Sequence, residues 1–388
     1  MKSRGYNCNV IEKGNKLYWY LWHLGNEGKK TLLDNAFLLA LRCLTPLYYV
    51  GFLFKRWVSW KKNSKQFPVI SVGNLTLGGT GKTPCVEYIS RKLLERERKV
   101  AVLATGFGRD VRQKREIVFS KGSKNFSLKE VGDESYLLAK HLRQVPVFVS
   151  RNRAGTLLYA SEKSGCNTFV MDDGFQYFRV GKELDILLIS KDNPFGNGHL
   201  FPGGTLREPI SSVRRADLVV ITHADSFSSQ GVLKDKGEIS RENLSKVLSQ
   251  RRAGVPILES IHYPLYFEDW GSGEKYQLEE LKGKRVVSLS SLADPLYFES
   301  SLERLGLSVI RKIRFPDHYP YRLEDMEWIL NTAGKDKVDF IISTEKDAVR
   351  FPQKFSPFIP ILLLVIDFRI IKGEDIFDNL LDRVLEKY

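Results

Sequence analysis

Between an apolar run, Val69-Ile70-Ser71-Val72, and a stretch whose apolar residues Val86, Ile89 and Leu93 recur at helical spacing lies Thr76-Leu77-Gly78-Gly79-Thr80-Gly81-Lys82-Thr83. Strand, glycine-rich loop and helix in that order leave few folds open, because a phosphate-binding loop works only at the edge of an α/β sheet. Its glycines let main-chain N–H groups curl around a β-phosphate. Lys82 brings charge to the β and γ oxygens, and Thr83 offers a hydroxyl to magnesium. The general pattern begins with Gly where this chain has Thr76. Pro84 falls in the first helical turn, where the missing N–H costs little. Residues 76–83 are therefore expected to line a nucleotide site, with Thr83 as a metal ligand.

Further along, Val100-Ala101-Val102-Leu103, Phe169-Val170-Met171, residues 184–189 and Leu218-Val219-Val220-Ile221 read as buried strands, with helical patterns near 136–143 and 154–163 between some of them. That alternation predicts a parallel sheet covered on both faces. A chain of 388 residues is long enough for two domains. Its four cysteines, Cys8, Cys43, Cys85 and Cys166, have neither zinc nor disulfide spacing. A formal net charge of +14 calls for an acidic partner. Nucleic acid ranks last among these, since no nucleic-acid motif is visible.

Residues 36–54, AFLLALRCLTPLYYVGFLF, are almost wholly apolar and approach the length of a bilayer span. Lys55, Arg56, Lys61 and Lys62 follow, interleaved with Trp57 and Trp60, a mixture suited to the headgroup region of an anionic cytosolic surface. An aromatic run at 17–22 has the same interfacial character. Arg42 and Pro46 oppose a full span, the Arg by about 2.5–3.5 kcal/mol on insertion scales. A helix lying in the interface is preferred; a span and a buried helix of a soluble core stay open.

Asp172-Asp173 end one expected strand, where carboxylates at the carboxyl edge of a parallel sheet face the ligand crevice and can hold magnesium. A turn or a helix cap is the alternative. Gly132-Asp133-Glu134 reads on its own as a helix start with acids in the first turn. Arg207, in Leu206-Arg207-Glu208-Pro209, could reach a transferring phosphate. His318 lies in the proline-bracketed stretch 315–321, which suits a functional loop, but a lone His is more often structural. Ser343-Thr344-Glu345-Lys346-Asp347 lacks the spacing of a guanine-specificity motif.

VGNLTLGGTGKTP, VGDE, DDGFQ, FGNGHLFPGGTLREP, FPDHYPY and STEKDAV occur in the order found in the tetraacyldisaccharide 4′-kinases of lipid A synthesis, and the chain resembles that family from its first core strand nearly to its C-terminus. The resemblance implies a phosphate-loop α/β core at 61–262, a short linker at 263–283, a smaller α/β domain at 284–388 and a membrane-associated helix within 1–60. It implies ATP and Mg2+ as cofactors and an acylated glucosamine disaccharide 1-phosphate as acceptor at its 4′-hydroxyl. It also implies an anionic membrane partner and the cytoplasmic face of the bacterial inner membrane. Lys82 and Thr83 take the phosphate and magnesium roles, and Asp172 and Asp173 become the metal-site acids. Asp133 becomes the base, with His318 of the second domain supporting it on domain closure, and Arg207 and Glu208 match an active-site pair. The family's Ser-Arg-Gly-Tyr-Gly is here Ala104-Thr105-Gly106-Phe107-Gly108, a change that bears on sugar or acyl specificity. A phosphate-loop GTPase or metal-delivery protein, and a lipid-binding family member without kinase activity, are the competing readings.

Overall fold

The computed structural model describes residues 32–60, 67–106, 117–119, 127–225 and 241–388. The aromatic run at 17–22, Lys61, Lys62 and Phe107 lie outside the described residues. In chain order the elements are α1 (Leu32–Trp60), β1 (Val69–Asn74), α2 (Lys82–Glu95), β2 (Val100–Ala104), β3 (Ile117–Phe119), α3 (Leu128–Val131), α4 (Asp133–His141), β4 (Val147–Val149), α5 (Arg153–Ser164), β5 (Thr168–Met171), β6 (Leu184–Ser190) and β7 (Leu218–Thr222). They continue with α6 (Arg241–Arg251), β8 (Ile257–Asp269), β9 (Lys275–Tyr276), β10 (Arg285–Ser290), α7 (Pro295–Arg304), β11 (Ser308–Arg314), α8 (Leu323–Lys335), β12 (Phe340–Thr344), α9 (Glu345–Ala348), β13 (Ile361–Lys372) and α10 (Glu374–Leu385).

The described residues divide into two compact units, one of residues 32–262 with Phe368–Tyr388, the other Tyr263–Asp367. In the first, the strand order is β8-β7-β6-β1-β5-β2-β4-β3, parallel except for the β3–β4 pair. Every residue of β1, β2, β5, β6 and β7 is buried, which is why these strands read as nearly continuous apolar runs, broken by few residues such as Ser71 and Asp185. β1 lies between β5 and β6, and the chain leaves it through α2 toward β2 on one side, returning later to β6 and β7 on the other. Such a reversal of strand order opens a crevice at the carboxyl edge, and the phosphate loop occupies it.

One face of that sheet packs Val86, Ile89 and Leu93 of α2 with Phe377, Leu381 and Val384 of α10. The sequence places 284–388 in the second domain, but the apolar stripe of α10 is buried in the phosphate-loop unit instead. Arg96 with Asp378 at 2.9 Å and Lys92 with Glu374 at 2.9 Å flank that contact. The opposite face holds Leu75, Phe175, Leu187, Val219 and Leu248.

Residues Asn35–Ser59 of α1 are long and apolar enough to cross a membrane, and only 6% of the most apolar window is buried. Leu39, Leu47, Val50, Phe54 and Trp57 are exposed, whereas Leu38 is buried and Tyr48 and Phe52 are half-buried. A buried core helix does not present so much apolar surface. The inner stripe meets protein through Phe52 against Phe178, ring centroids 6.0 Å apart, and the outer face is left apolar.

In the second unit β11-β10-β12-β13 form a parallel order, and β9 pairs antiparallel with the end of β8, so residues 263–283 belong to the unit rather than to a bare linker. Phe315, Tyr319 and Tyr321 pack their rings together, and His318, between them in sequence, has φ 60° with Nε2 3.6 Å from Asp317. Lys346 also reaches Asp317, at 3.4 Å. Asp347 is fully buried and accepts from Ser291, Tyr321 and Arg350. The stretch 343–347 therefore carries a structural carboxylate.

Candidate active site

The phosphate loop leaves β1 at Asn74, whose side-chain amide donates to the carbonyl of Gly78 at 3.3 Å and whose Oδ1 accepts from Lys82 Nζ at 3.3 Å. A short stretch from the 195–207 segment stitches the loop from outside. Leu77 N donates to Thr205 O and Arg207 N to Leu75 O, each at 2.7 Å, with Thr76 bridged to Leu206. Thr80 is buried, and its hydroxyl has no protein partner. Gly81 caps α2 at φ 78°, leaving the first amides of that helix directed at the loop.

Gly81 also lies against His262, at the last position of the unit's share of β8. A Cβ at Gly81 would lie 2.6 Å from His262 Nε2. Burial pushes that imidazole down to about 4, against the pull of Asp225, so it is neutral at pH 7. Gly81→Ala combines this collision with a left-handed conformation that costs an L-residue about 1–2 kcal/mol. ATP affinity measured by calorimetry is expected to fall at least about tenfold, since 1.4 kcal/mol is a factor of ten. Unchanged affinity would contradict a nucleotide-binding role for the loop in this shape.

Asp172 and Asp173 directly follow β5, as the strand pattern predicts. Arg207 clasps Asp173 with Nη1 at 2.9 and 2.8 Å from the two carboxylate oxygens, and Lys82 Nζ stands 3.5 Å away. Burial opposes ionisation of Asp173, but Lys82 and Arg207 override it and hold the carboxyl well below the usual range. Asp172 has the opposite environment. Burial, with the charges of Glu134 and Asp173 added, pushes it up to about 7 despite Lys82 and Arg153. Its Oδ1 is buried with no hydrogen-bond partner. An orphaned carboxylate oxygen within reach of the charge of Lys82 in the phosphate loop fits a hard divalent cation, whose ligands are oxygens. Arg153, itself buried, fixes the turn by donating to the carbonyls of Asp172 at 2.6 Å and Asp173 at 3.1 Å.

Asp133 opens α4 after Gly132 and is buried, and its Oδ1 accepts from the N–H of Glu134 at 2.9 Å. Glu134, in the same first turn of α4, adds its charge to what raises Asp172, so that turn lies within electrostatic reach of the paired acids. Thus Lys82, Asp172, Asp173 and Arg207 converge on the loop, with the Asp133 turn adjoining. Glu208 points elsewhere: it is wholly buried in a bidentate pair with Arg215, at 2.6 and 3.0 Å. Arg215 in turn lies over the Phe175 ring, 4.3 Å from its centroid. His318 belongs to the other unit, in the surroundings given above. Sequence reasoning missed Asn74, Arg153 and His262. Asn74 sits inside the VGN stretch, but nothing in residue spacing announces an amide clamped to a lysine eight positions later.

A family model described as tetraacyldisaccharide-1-P 4′-kinase matches residues 37–386. A curated tetraacyldisaccharide 4′-kinase of Halothermothrix orenii is 34% identical over 347 residues, covering 88% of this chain and 90% of its own. That of Anaeromyxobacter sp. strain K is 35% identical, covering 82% of each. A crystal structure of LpxK from Aquifex aeolicus in complex with ATP superposes with a TM-score of 0.66 at 26% identity, covering 90% of this chain and 99% of its own. With a phosphate loop, two acids at the next strand end and an Arg clasping one of them, the chain is a kinase and belongs to the tetraacyldisaccharide-1-P 4′-kinase family.

Proposed function

We propose that this enzyme transfers the γ-phosphate of ATP to the 4′-hydroxyl of tetraacyldisaccharide 1-phosphate, at the cytoplasmic face of the bacterial inner membrane. The observation that carries the reading is the linked set Lys82–Asp173–Arg207 beside the open oxygen of Asp172. Residues 76–83 cradle the triphosphate, and Lys82 lies over its β and γ oxygens. Arg207 keeps a buried Nε without a protein partner, a donor left for the transferring phosphoryl group. Thr83, Asp172 and Asp173 would hold magnesium, which when bound neutralises charge on the β and γ oxygens.

The 4′-oxygen attacks the γ-phosphorus, the bond to the bridging β,γ-oxygen breaks, and ADP leaves with the electron pair. Asp133 accepts the hydroxyl proton. Phosphoryl transfer asks for positioning and charge compensation before proton abstraction, so a carboxylate is basic enough. Glu208 acts through Arg215 and Phe175 as a positioning residue. His318 is assigned its supporting role by family resemblance alone. The apolar outer face of α1, with Lys55 and Arg56 near the helix's C-terminal end, supports seating on an anionic membrane where the acyl chains of the acceptor lie.

Asp133→Asn tests the assignment. It should bind ATP within about twofold of wild type while transfer to the lipid falls by about 10²–10⁴, the usual worth of a general base. Retained transfer would remove Asp133 from the chemistry, and lost ATP binding would make it a structural residue.

A further inference from the structure

The inner stripe of α1 does more than hold the helix in place. Tyr48 Oη donates a hydrogen bond to the main-chain carbonyl of Arg207 at 2.9 Å. Its ring meets Phe201 edge-on, centroids 5.5 Å apart, and one turn earlier Thr45 Oγ1 reaches the carbonyl of Leu200 at 3.5 Å. At Gly203 the segment closes onto the helix so tightly that a Cβ would lie 2.8 Å from Arg42 Cγ and 3.0 Å from Thr45 Oγ1. One helix thus grips residues 200–207 at three successive points. The same segment is bonded on its other side to Leu75 and Leu77 of the phosphate loop and ends in the guanidinium that clasps Asp173.

We propose that Tyr48 is a positioning residue for phosphoryl transfer: its hydroxyl, anchored on the membrane-facing helix, fixes the main chain at Arg207 so that the guanidinium is aimed at Asp173 and the transferring phosphate. The carbonyl of Arg207 is the point where this matters. Its residue's N–H is already tied to Leu75, so Tyr48 holds the second of the two peptide units that flank the Arg207 Cα and fixes the main-chain base from which the guanidinium reaches Asp173. A half-buried hydroxyl is well placed for this, because Phe in its place would retain the ring contact and lose only the bond.

The inference rests on the proposed role of Arg207, and a double-mutant cycle in the full-length enzyme separates the two. Turnover is measured with ATP and tetraacyldisaccharide 1-phosphate in mixed micelles for wild type, Tyr48→Phe, Arg207→Ala and the double variant. Thermal midpoints, ATP affinity and co-sedimentation with phosphatidylglycerol-containing vesicles are read alongside. Tyr48→Phe should lower kcat by about 3–10-fold, the range of one lost hydrogen bond. KM for ATP, melting and vesicle binding should stay at wild-type values, and the substitution should have no further effect in the Arg207→Ala background. Wild-type kcat in Tyr48→Phe with Arg207→Ala impaired overturns the inference alone. An equal fall in both backgrounds, or a fall that tracks lost vesicle binding, also overturns it by assigning Tyr48 to folding or anchoring. Full kcat in Arg207→Ala would instead remove the role of Arg207 and the inference with it.

Discussion

Lys82→Ala is expected to lower turnover at saturating ATP by about a thousandfold, the upper end of what removing one preorganised charge donor costs. Its amine is nearly buried, with a side-chain exposure of 12%, and it holds two partners at once, Asn74 Oδ1 and Asp173. Two consequences therefore combine. On the proposed reading the γ-phosphate loses a fixed cation, and Asp173 keeps the charges of Arg207 and Arg153 against the burial that opposes its own. Lys82→Arg should not restore the rate, since a planar guanidinium does not occupy the place of a compact ammonium. Single-turnover assays with a thermal melt on each variant check this. A variant that melts like wild type and keeps more than a tenth of the rate would contradict the assigned role.

The second large effect concerns stability. Burial, with Glu134 and Asp173 close by, pushes the Asp172 carboxyl to about 7, whereas an unfolded chain titrates this group near 4. Between those values the folded protein holds a proton that the unfolded chain has released, so stability falls as pH rises through the window. Above it, the full cost is on the order of a few kcal/mol. Asp172→Asn carries no charge to bury. Without nucleotide it should melt roughly 5–10 °C above wild type at pH 8 and close to it at pH 4. Magnesium with a non-hydrolysable ATP analogue should raise the wild-type midpoint more at pH 8 than at pH 6, because the ligand needs the ionised carboxylate. The Asn variant should lose that pH dependence as well as its activity. Equal melting of both proteins across the range would show that the Asp172 carboxyl is solvated in solution.

The parts of this site that rest on contiguous residues were legible before any coordinates. An apolar run, a glycine loop and a helix with three apolar positions at 3.6 spacing predict that Lys82 and Thr83 open α2, and paired acids after an apolar run predict a strand end for Asp172 and Asp173, positions the fold has. The pairing of Glu208 with Arg215 was hidden, because adjacency to Arg207 suggests a shared target while consecutive side chains turn apart. The return of α10 to the first unit was hidden too. Its amphipathic stripe says that a face must be buried and is silent about which sheet buries it. Asn74, His262 and Tyr48 meet the site from 8, 181 and 159 positions away from Lys82, Gly81 and Arg207 respectively, separations that only the folded chain brings together. α1 was half legible: its composition marks a membrane-seeking helix, and only its contacts separate an inner stripe from an outer one.

The most direct test is the reaction itself. Purified full-length protein in mixed micelles is incubated with γ-labelled ATP, Mg2+ and tetraacyldisaccharide 1-phosphate, and the lipid is recovered for mass analysis and phosphorus NMR. One phosphate added per ADP formed, coupled to the proton at carbon 4′, is the predicted result. ADP formed without a bisphosphorylated lipid, or turnover of GTP in preference to ATP, would contradict it.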